Sequence, residues 1–275
     1  MRNKIPAVII FCMVFATIFP NACGPAFAAK QRYIYGIGGV VKPSVDDKRP
    51  VNTAERSGTL AELAKDYPEY FKVKGSDSLK QVALTFDDGP DDQYTAKILD
   101  ILKKYDVRAT FFVVGWRAKA RPDLVRRMVK EKHVVGNHTY SHRELSWGSL
   151  YQFQQQVLST QSAIKPSAGY APKLLRTPYG AINEKQLKWA GAAGFVVIFW
   201  NVDSLDWKQL SPAQVSGNIL RAVQPGSIIL EHAGGGGGQN LSGTVNSLPH
   251  IIVTLRSRGY RFVTVPELLH IPKQK

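Results

Sequence analysis

Two adjacent acids, Asp87 and Asp88, close an apolar run in Thr85-Phe86-Asp87-Asp88-Gly89-Pro90. Such a pair can divide its work, one carboxylate binding a cation and the other moving a proton. Neighbouring side chains on a strand point to opposite faces, however, so both acids can serve one site only where the backbone bends, which Gly89-Pro90 permits. Read alone, the same six residues are also an ordinary polar turn. His138-Thr139-Tyr140-Ser141-His142 places two imidazoles at i and i+4. On a helical turn that spacing sets both on one face, within reach of one divalent ion. The alternative is a pair of exposed loop histidines. Two histidines and one carboxylate leave coordination positions open for water and substrate, so the pair needs an aspartate at a neighbouring strand end.

Three further polar clusters follow apolar runs: Arg176-Thr177-Pro178-Tyr179-Gly180, Asp203-Ser204-Leu205-Asp206-Trp207, and Leu230-Glu231-His232, which leads into the glycines 234–238. Any one of them could be a surface loop. All five in order, each at the end of an expected strand, point to one site, because in β/α folds reactive residues gather at the carboxyl ends of the strands. His133 before an apolar strand, His250 in a helix and His270 in the C-terminal tail read as structural.

The elements that must position these residues are visible as short apolar runs alternating with stretches of helical period. Val82 to Phe86 reads as a buried strand. Ile98, Leu99, Leu102 and Tyr105 then recur at helical spacing before a strand from Ala109 to Val114. A helix near Leu124 to Val129, with Pro122 at its start, leads to a strand at Val134-Val135. Tyr151 to Ile164 is expected as helix, Leu174-Leu175 as strand, Glu184 to Ala193 as helix and Phe195 to Val202 as one long strand. Ser211-Pro212-Ala213-Gln214 forms a capping box that opens a helix running to Val223. A strand from Ser227 to Glu231, a helix from Leu248 to Arg258 and a strand from Phe262 to Val265 complete the chain. The six or seven β-α repeats suffice for a barrel and are equally compatible with an open doubly wound sheet. Residues 30–80, rich in Gly and Pro, read as an extended approach segment with one short helix near Leu60 to Ala64.

At the N-terminus, two positive charges precede an apolar run from Ile5 to Phe19, and Ala26-Phe27-Ala28 has the small-x-small pattern of a signal-peptidase site. Residues 1–28 are therefore expected to be a signal peptide, with the mature chain starting at Ala29, 29–80 an N-terminal extension and 81–270 the catalytic domain. A run of about 15 apolar residues is too short for a membrane span, and Pro20-Asn21-Ala22 lacks the leucine expected ahead of a lipidated Cys23. Cys12 and Cys23 both lie in the expected leader, so no disulfide staples the mature fold, which must rest on its own core. This suits the envelope of a Gram-positive-type bacterium better than an animal extracellular space. Removing Arg2 and Lys4 from 36 basic residues leaves 34 against 21 acidic ones, a charge of +13. Export directs the resulting attraction for polyanions to an anionic cell wall rather than to nucleic acid, and no stable protein partner is expected; scattered solubility charge is the plainer reading.

Taken together, the five clusters resemble the motif set of the polysaccharide deacetylases with a NodB-homology domain, carbohydrate esterase family four: T-F-D-D-G-P, H-[ST]-x-x-H, R-x-P-[YF], D-x-x-D-W and L-x-H. The resemblance spans about Gln81 to Leu269. It implies an α/β fold of the distorted (β/α) barrel type with about seven repeats, and hydrolytic removal of N-acetyl groups from an amino-sugar polymer. Asp88, His138 and His142 would hold a divalent metal, zinc first and cobalt or manganese as substitutes, which would polarise the acetyl carbonyl and acidify water. Asp87 would be the general base, oriented and kept ionised by Arg176. His232 would be the general acid, with Asp203 raising its pKa and fixing its tautomer. The backbone N–H of Tyr179 would stabilise the oxyanion, Trp207 would wall the pocket and Leu230 would pack on the acetyl methyl. Export and basic charge favour peptidoglycan, and the complete D-x-x-D-W motif favours its N-acetylglucosamine. Chitin or exopolysaccharide, N-acetylmuramic acid, and a non-catalytic wall-binding role are the alternatives. The chain departs from the family pattern at Ala233, often Asp, and in the glycine run, which has no assigned role.

Overall fold

The structure, a computed structural model, describes residues 59–275. The expected signal peptide, the mature terminus at Ala29 and most of the N-terminal extension lie outside the described residues. A short helix, α1 (Leu60–Asp66), opened by a complete Thr59/Glu62 capping box, precedes β1 (Phe71–Lys72) and the first long strand, β2 (Gln81–Asp87). The chain continues through α2 (Thr95–Lys104), β3 (Thr110–Val113), α3 (Gly115–Ala120), α4 (Pro122–Lys130) and β4 (Val134–Asn137). Then come α5 (Leu150–Ala168), β5 (Leu174–Leu175), α6 (Glu184–Ala192), β6 (Val196–Ile198) and β7 (Val202–Asp203). The last elements are α7 (Pro212–Ala222), β8 (Ile228–His232), α8 (Ser242–Ser257), β9 (Arg261–Phe262) and α9 (Val265–Leu269).

The strands form one parallel sheet in the order β1-β6-β5-β4-β3-β2-β8-β7, with β9 also paired to β2. Crossover helices require parallel pairing, and the sheet curls as in a distorted (β/α) barrel. Side chains alternate between its two faces. On one face of β2, Val82, Leu84 and Phe86 pack with Ile98, Leu99, Leu102, Leu248, Ile251 and Ile252 of the helices. On the other, Ala83 belongs to a layer with Phe112, Val134, Leu174, Val196, Ile198 and Ile228, drawn from six strands and plugged by Val265 and Leu268 of α9. Thr85 and Asp87 continue that inner face toward the carboxyl end. The apolar layer thus makes a floor under a polar rim.

Several expectations change. The long strand from Phe195 to Val202 is two short ones, β6 and β7, at different places in the strand order. Between them the Asn201 side chain takes over the ladder, its Oδ1 accepting from Ile228 N at 2.9 Å and its Nδ2 donating to Ser227 Oγ at 3.2 Å. That bent segment carries the chain from β5 and β1 to β8. The sheet also takes in Phe71–Lys72, assigned above to the extension, through register with Val197 and Ile198. Helix α8 begins at Ser242, six residues before the expected Leu248, and Pro249 sits inside it. Val265 opens α9 instead of ending a strand, because Thr264 and Glu267 form a capping box and Pro266 suits a first helical turn.

His133 is structural in a specific sense. It is 3% exposed, its Nδ1 accepts from Ala109 N at 3.1 Å, and its ring meets Phe111 edge-on at 5.3 Å. Burial pushes the imidazole down to about 4, with Glu131 opposing and Arg127 and Arg108 assisting. The folded chain therefore refuses a proton that the unfolded chain accepts from about pH 6.5 downward. Its stabilising contribution is complete above that pH and is lost on acidification toward about 4, by up to about 3 kcal/mol. Denaturant unfolding of wild type and His133→Asn across this range should show the wild-type advantage shrinking as pH falls. A constant difference would remove the assignment.

Candidate active site

Asp87 ends β2 on the inner face, and Asp88 follows with φ of 70°, a left-handed conformation uncommon for a residue with a Cβ. This is the bend that lets adjacent acids face one site. Asp88 Oδ1 lies 2.9 Å from His142 Nε2 and 3.3 Å from His138 Nε2. The ligand atoms of Asp88, His138 and His142 all fall within 4.8 Å of one another. His138-to-His142 is not the helical turn expected above. It is a loop with left-handed residues at Thr139 (φ 60°) and His142 (φ 55°). Gln156 of α5 holds its crest, accepting from Tyr140 N, Ser141 N and Ser141 Oγ through one oxygen, while Asn137 accepts from Thr139 N.

These donors fit a divalent ion. His138 Nδ1 is 2.8 Å from the Arg176 carbonyl, which commits Nδ1–H to the protein and leaves Nε2 as the lone-pair donor toward Asp88. Asp88 Oδ1 is buried and meets no polar group of the protein other than the two imidazoles. Burial opposes its charge, yet His142 and His138 outweigh that and hold the carboxyl well below its ordinary range. Reciprocally, His138 is lowered by burial but raised overall by Asp87 and Asp88. Three donors in this small volume favour positive charge at their centre.

Arg176 is fully buried beneath the rim. Its Nη1 donates to Asp87 Oδ1 and Thr85 Oγ1, both at 2.8 Å, Nε to the Ile198 carbonyl at 3.0 Å and Nη2 to the Phe199 carbonyl at 3.1 Å. The guanidinium lies 4.1 Å from the centre of the Phe112 ring. Gly136 leaves room for that ring: a Cβ there would come within 2.7 Å of it. Asp87 Oδ2 faces His138 Nε2 at 3.8 Å, which sets the second acid beside the three-donor cluster.

Across the rim, His232 ends β8 in register with Asp87. Its carboxylate partner is Asp206, where Asp203 was expected. Asp206 Oδ1 is 2.7 Å from His232 Nδ1, and Oδ2 accepts from His232 N at 2.8 Å and Thr244 Oγ1 at 2.7 Å. The left-handed residue Leu205 (φ 57°) turns the chain after β7 and swings Asp206 inward, while Asp203 Oδ1 accepts from Leu205 N at 2.8 Å and stabilises that turn. Burial would neutralise His232, but Asp206 more than offsets it and raises the imidazole to about 10. Asp203 is raised by its own burial. The D-x-x-D spacing offered both acids; the sequence carries no sign of the turn that chooses between them.

Tyr179 occupies a tight turn at φ 60°, its ring edge-on to His142 at 4.8 Å, and is 42% exposed. Leu230 is buried on the inner face, in register with Thr85 and Asp203. Trp207 is half-buried, its carbonyl accepting from Gln239 Nε2 at 3.2 Å. Ala233 is fully buried, donating to the Asp87 carbonyl at 2.8 Å and accepting from Thr95 Oγ1 at 2.7 Å. Its Cβ faces Gly89, which explains a small residue there. Glu231 points the other way, into the helix layer, where burial and then Asp206 raise its carboxyl well above the usual range.

The polysaccharide deacetylase family profile matches residues 74–198. A peptidoglycan-N-acetylglucosamine deacetylase of Bacillus cereus is 44% identical over 205 residues, 74% of each chain. The peptidoglycan-N-acetylglucosamine deacetylase PgdA of Listeria monocytogenes is 40% identical over 211 residues, 75% of this chain and 43% of that protein. The crystal structure of the Bc1960 peptidoglycan N-acetylglucosamine deacetylase superposes with a TM-score of 0.74 at 42% identity, covering 76% of this chain and 97% of that one. With the five motifs gathered on one rim and this likeness over most of the described residues, the chain belongs to the polysaccharide deacetylase family.

Proposed function

We propose that this chain hydrolyses the acetamido group of N-acetylglucosamine in peptidoglycan, with zinc as its metal, after export to the cell envelope. The carrying observation is the convergence of the Asp88–His138–His142 cluster, the Arg176-bound Asp87 and the Asp206-bound His232 on one rim. The similar proteins from Bacillus and Listeria supply the substrate class. A divalent ion held by the three donors would supply Lewis-acid charge at the acetyl carbonyl and make a water molecule acidic. Asp87 takes that water's proton, and Arg176 holds its carboxylate ionised and aimed. The water oxygen bonds to the acetyl carbon, the C–N bond breaks, and the departing nitrogen takes a proton from His232 Nε2. Asp206, by engaging Nδ1, keeps that imidazole charged and its Nε2–H directed outward. Tyr179, Trp207 and Leu230 line the space for the acetyl group and sugar. The leader pattern in residues 1–28 supports export, and the excess of 13 positive charges left after its removal supports attraction to an anionic wall. Incubation with purified peptidoglycan, followed by mass spectrometry of the muropeptides, tests the proposal. Loss of acetyl from glucosamine is expected; loss from muramic acid would change the substrate, and no acetate from any N-acetylated glycan would overturn the reading.

The adjacent acids should fail differently. Asp87→Asn leaves the three donors intact, so it should retain metal yet lose about a hundred- to ten-thousandfold in rate, with no rescue by added metal. Asp88→Asn removes an anionic ligand and should purify metal-poor, regaining part of its activity at high metal. Calorimetric metal titration beside acetate release checks this, and the opposite pattern would exchange the two roles.

Asp206→Asn removes the largest influence opposing burial at His232 and leaves only the more distant Asp88 and Asp87. The imidazole then loses its proton at lower pH, and the alkaline limb of the kcat/KM profile should move toward acid. Asp203→Asn should move it much less. Equal shifts would return Asp203 to the role first expected of it.

A further inference from the structure

The glycine run 234–238 and Arg117 of α3 have no part in the chemistry above, yet they meet directly behind the metal-site loop. Arg117 is half-buried, with its guanidinium 5.1 Å from the centre of the Trp116 ring. Nη1 donates to the main-chain carbonyl of Asp88 at 2.9 Å, and Nη2 to the carbonyl of Gly235 at 2.5 Å. One planar fork therefore bridges the loop after β2, which carries Asp88, and the loop after β8, which follows His232. Gly234 makes the seat possible: a Cβ there would overlap Arg117 Nη1 and approach the Asp88 carbonyl oxygen to 2.8 Å. The far side of the run is closed by Gln239, whose Oε1 accepts from Gly236 N at 3.0 Å and whose Nε2 donates to the Trp207 carbonyl. A Cβ on Gly235 would meet that Gln239 oxygen at 2.8 Å.

We infer that Arg117 is a positioning residue that locks the left-handed backbone of Asp88 to the loop after His232, that Gly234 is present to admit it, and that Gly235 supplies the second carbonyl. Aspartate tolerates the left-handed region better than most residues with a Cβ, yet φ 70° is not its preferred conformation, so a bond from outside adds to its hold. A bond to its carbonyl fixes the peptide plane that follows and so the aim of its carboxylate. Lysine could not replace the fork: a single ammonium lacks the rigid planar donors that reach two carbonyls at once. The inference rests on the proposal that Asp88 is a ligand and His232 an acid.

The test is zinc titration by calorimetry on full-length protein stripped of metal. Arg117→Ala should bind zinc about ten- to a hundredfold more weakly, as is typical when the partner of a ligand is removed. Its kcat for acetate release should fall with KM little changed, Arg117→Lys should recover little, and added methylguanidinium should restore part of the zinc affinity. Gly234→Ala keeps the arginine but presses on both its Nη1 and the Asp88 carbonyl, so it should also weaken zinc; Arg117→Lys carries the test if Arg117→Ala does not fold. Wild-type zinc affinity in either folded variant overturns the inference. His142→Ala separates this from failure of the site itself: if that variant also binds zinc normally, the ligand assignment falls first.

Discussion

A fully buried guanidinium at the centre of a parallel sheet is tolerable only if its charge is matched and its nitrogens find acceptors, and Arg176 dictates much of the rim by that requirement. Its bonds reach Thr85 and Asp87 on β2 and the carbonyls of Ile198 and Phe199 at the end of β6, so it ties together strands that are not neighbours in the sheet. Its own carbonyl engages His138 Nδ1, and its own N–H donates to the Asn137 carbonyl. One residue thus aims the acid proposed as base, selects the tautomer of a metal donor and anchors the strand that carries it. Removing one partner of such a pair typically costs 3–5 kcal/mol, because the other charge is left stranded.

Around that anchor the rim is built from backbone that would not hold its shape alone. Asp88, Thr139, His142, Tyr179 and Leu205 all adopt positive φ without being glycine. Several have an external brace: Arg117 for Asp88, Asn137 for Thr139, Asp203 for Leu205, and α5 through Gln156 for the residues between the two histidines. Strained conformations persist where surrounding structure over-determines them, and here they place side chains from separate loops at one point. The braces come from elements whose own hydrophobic packing is extensive, so the floor of the barrel stabilises the geometry of its mouth.

The titratable groups divide by environment. Asp88 and Asp206 face imidazoles and are held ionised. Glu231, one residue from His232 but on the opposite face of β8, has no partner and is held neutral. Strand alternation alone separates the two fates. A similar opposition of shifts, His232 raised and Asp206 lowered, gives an acid that stays protonated at neutral pH beside a carboxylate that does not.

Legibility in the sequence followed the range of the interaction. The strand-end clusters, the His138/His142 pair, the Ser211 capping box and most helices were readable, because period, caps and motif spacing are local properties, while Asp88 as the partner of that pair came from the family resemblance. What failed was mostly non-local, although the Thr264/Glu267 capping box that makes Val265 a helix start was a local pattern passed over. A continuous apolar run from Phe195 to Val202 cannot reveal that it bends at Asn201 to pair with two strands far apart in the sheet, since Ile228 and Val197 find their partners only on folding. The choice of Asp206 over Asp203 depended on a left-handed turn at Leu205 and on Thr244 from α8, 38 residues further on. The sequence by itself determined which residues could do the chemistry and that β-α units would carry them. Which carboxylate meets which base, and what the glycines make room for, were decided by packing between segments far apart in the chain, where the fit of one surface to another sets the contact and no local pattern records it.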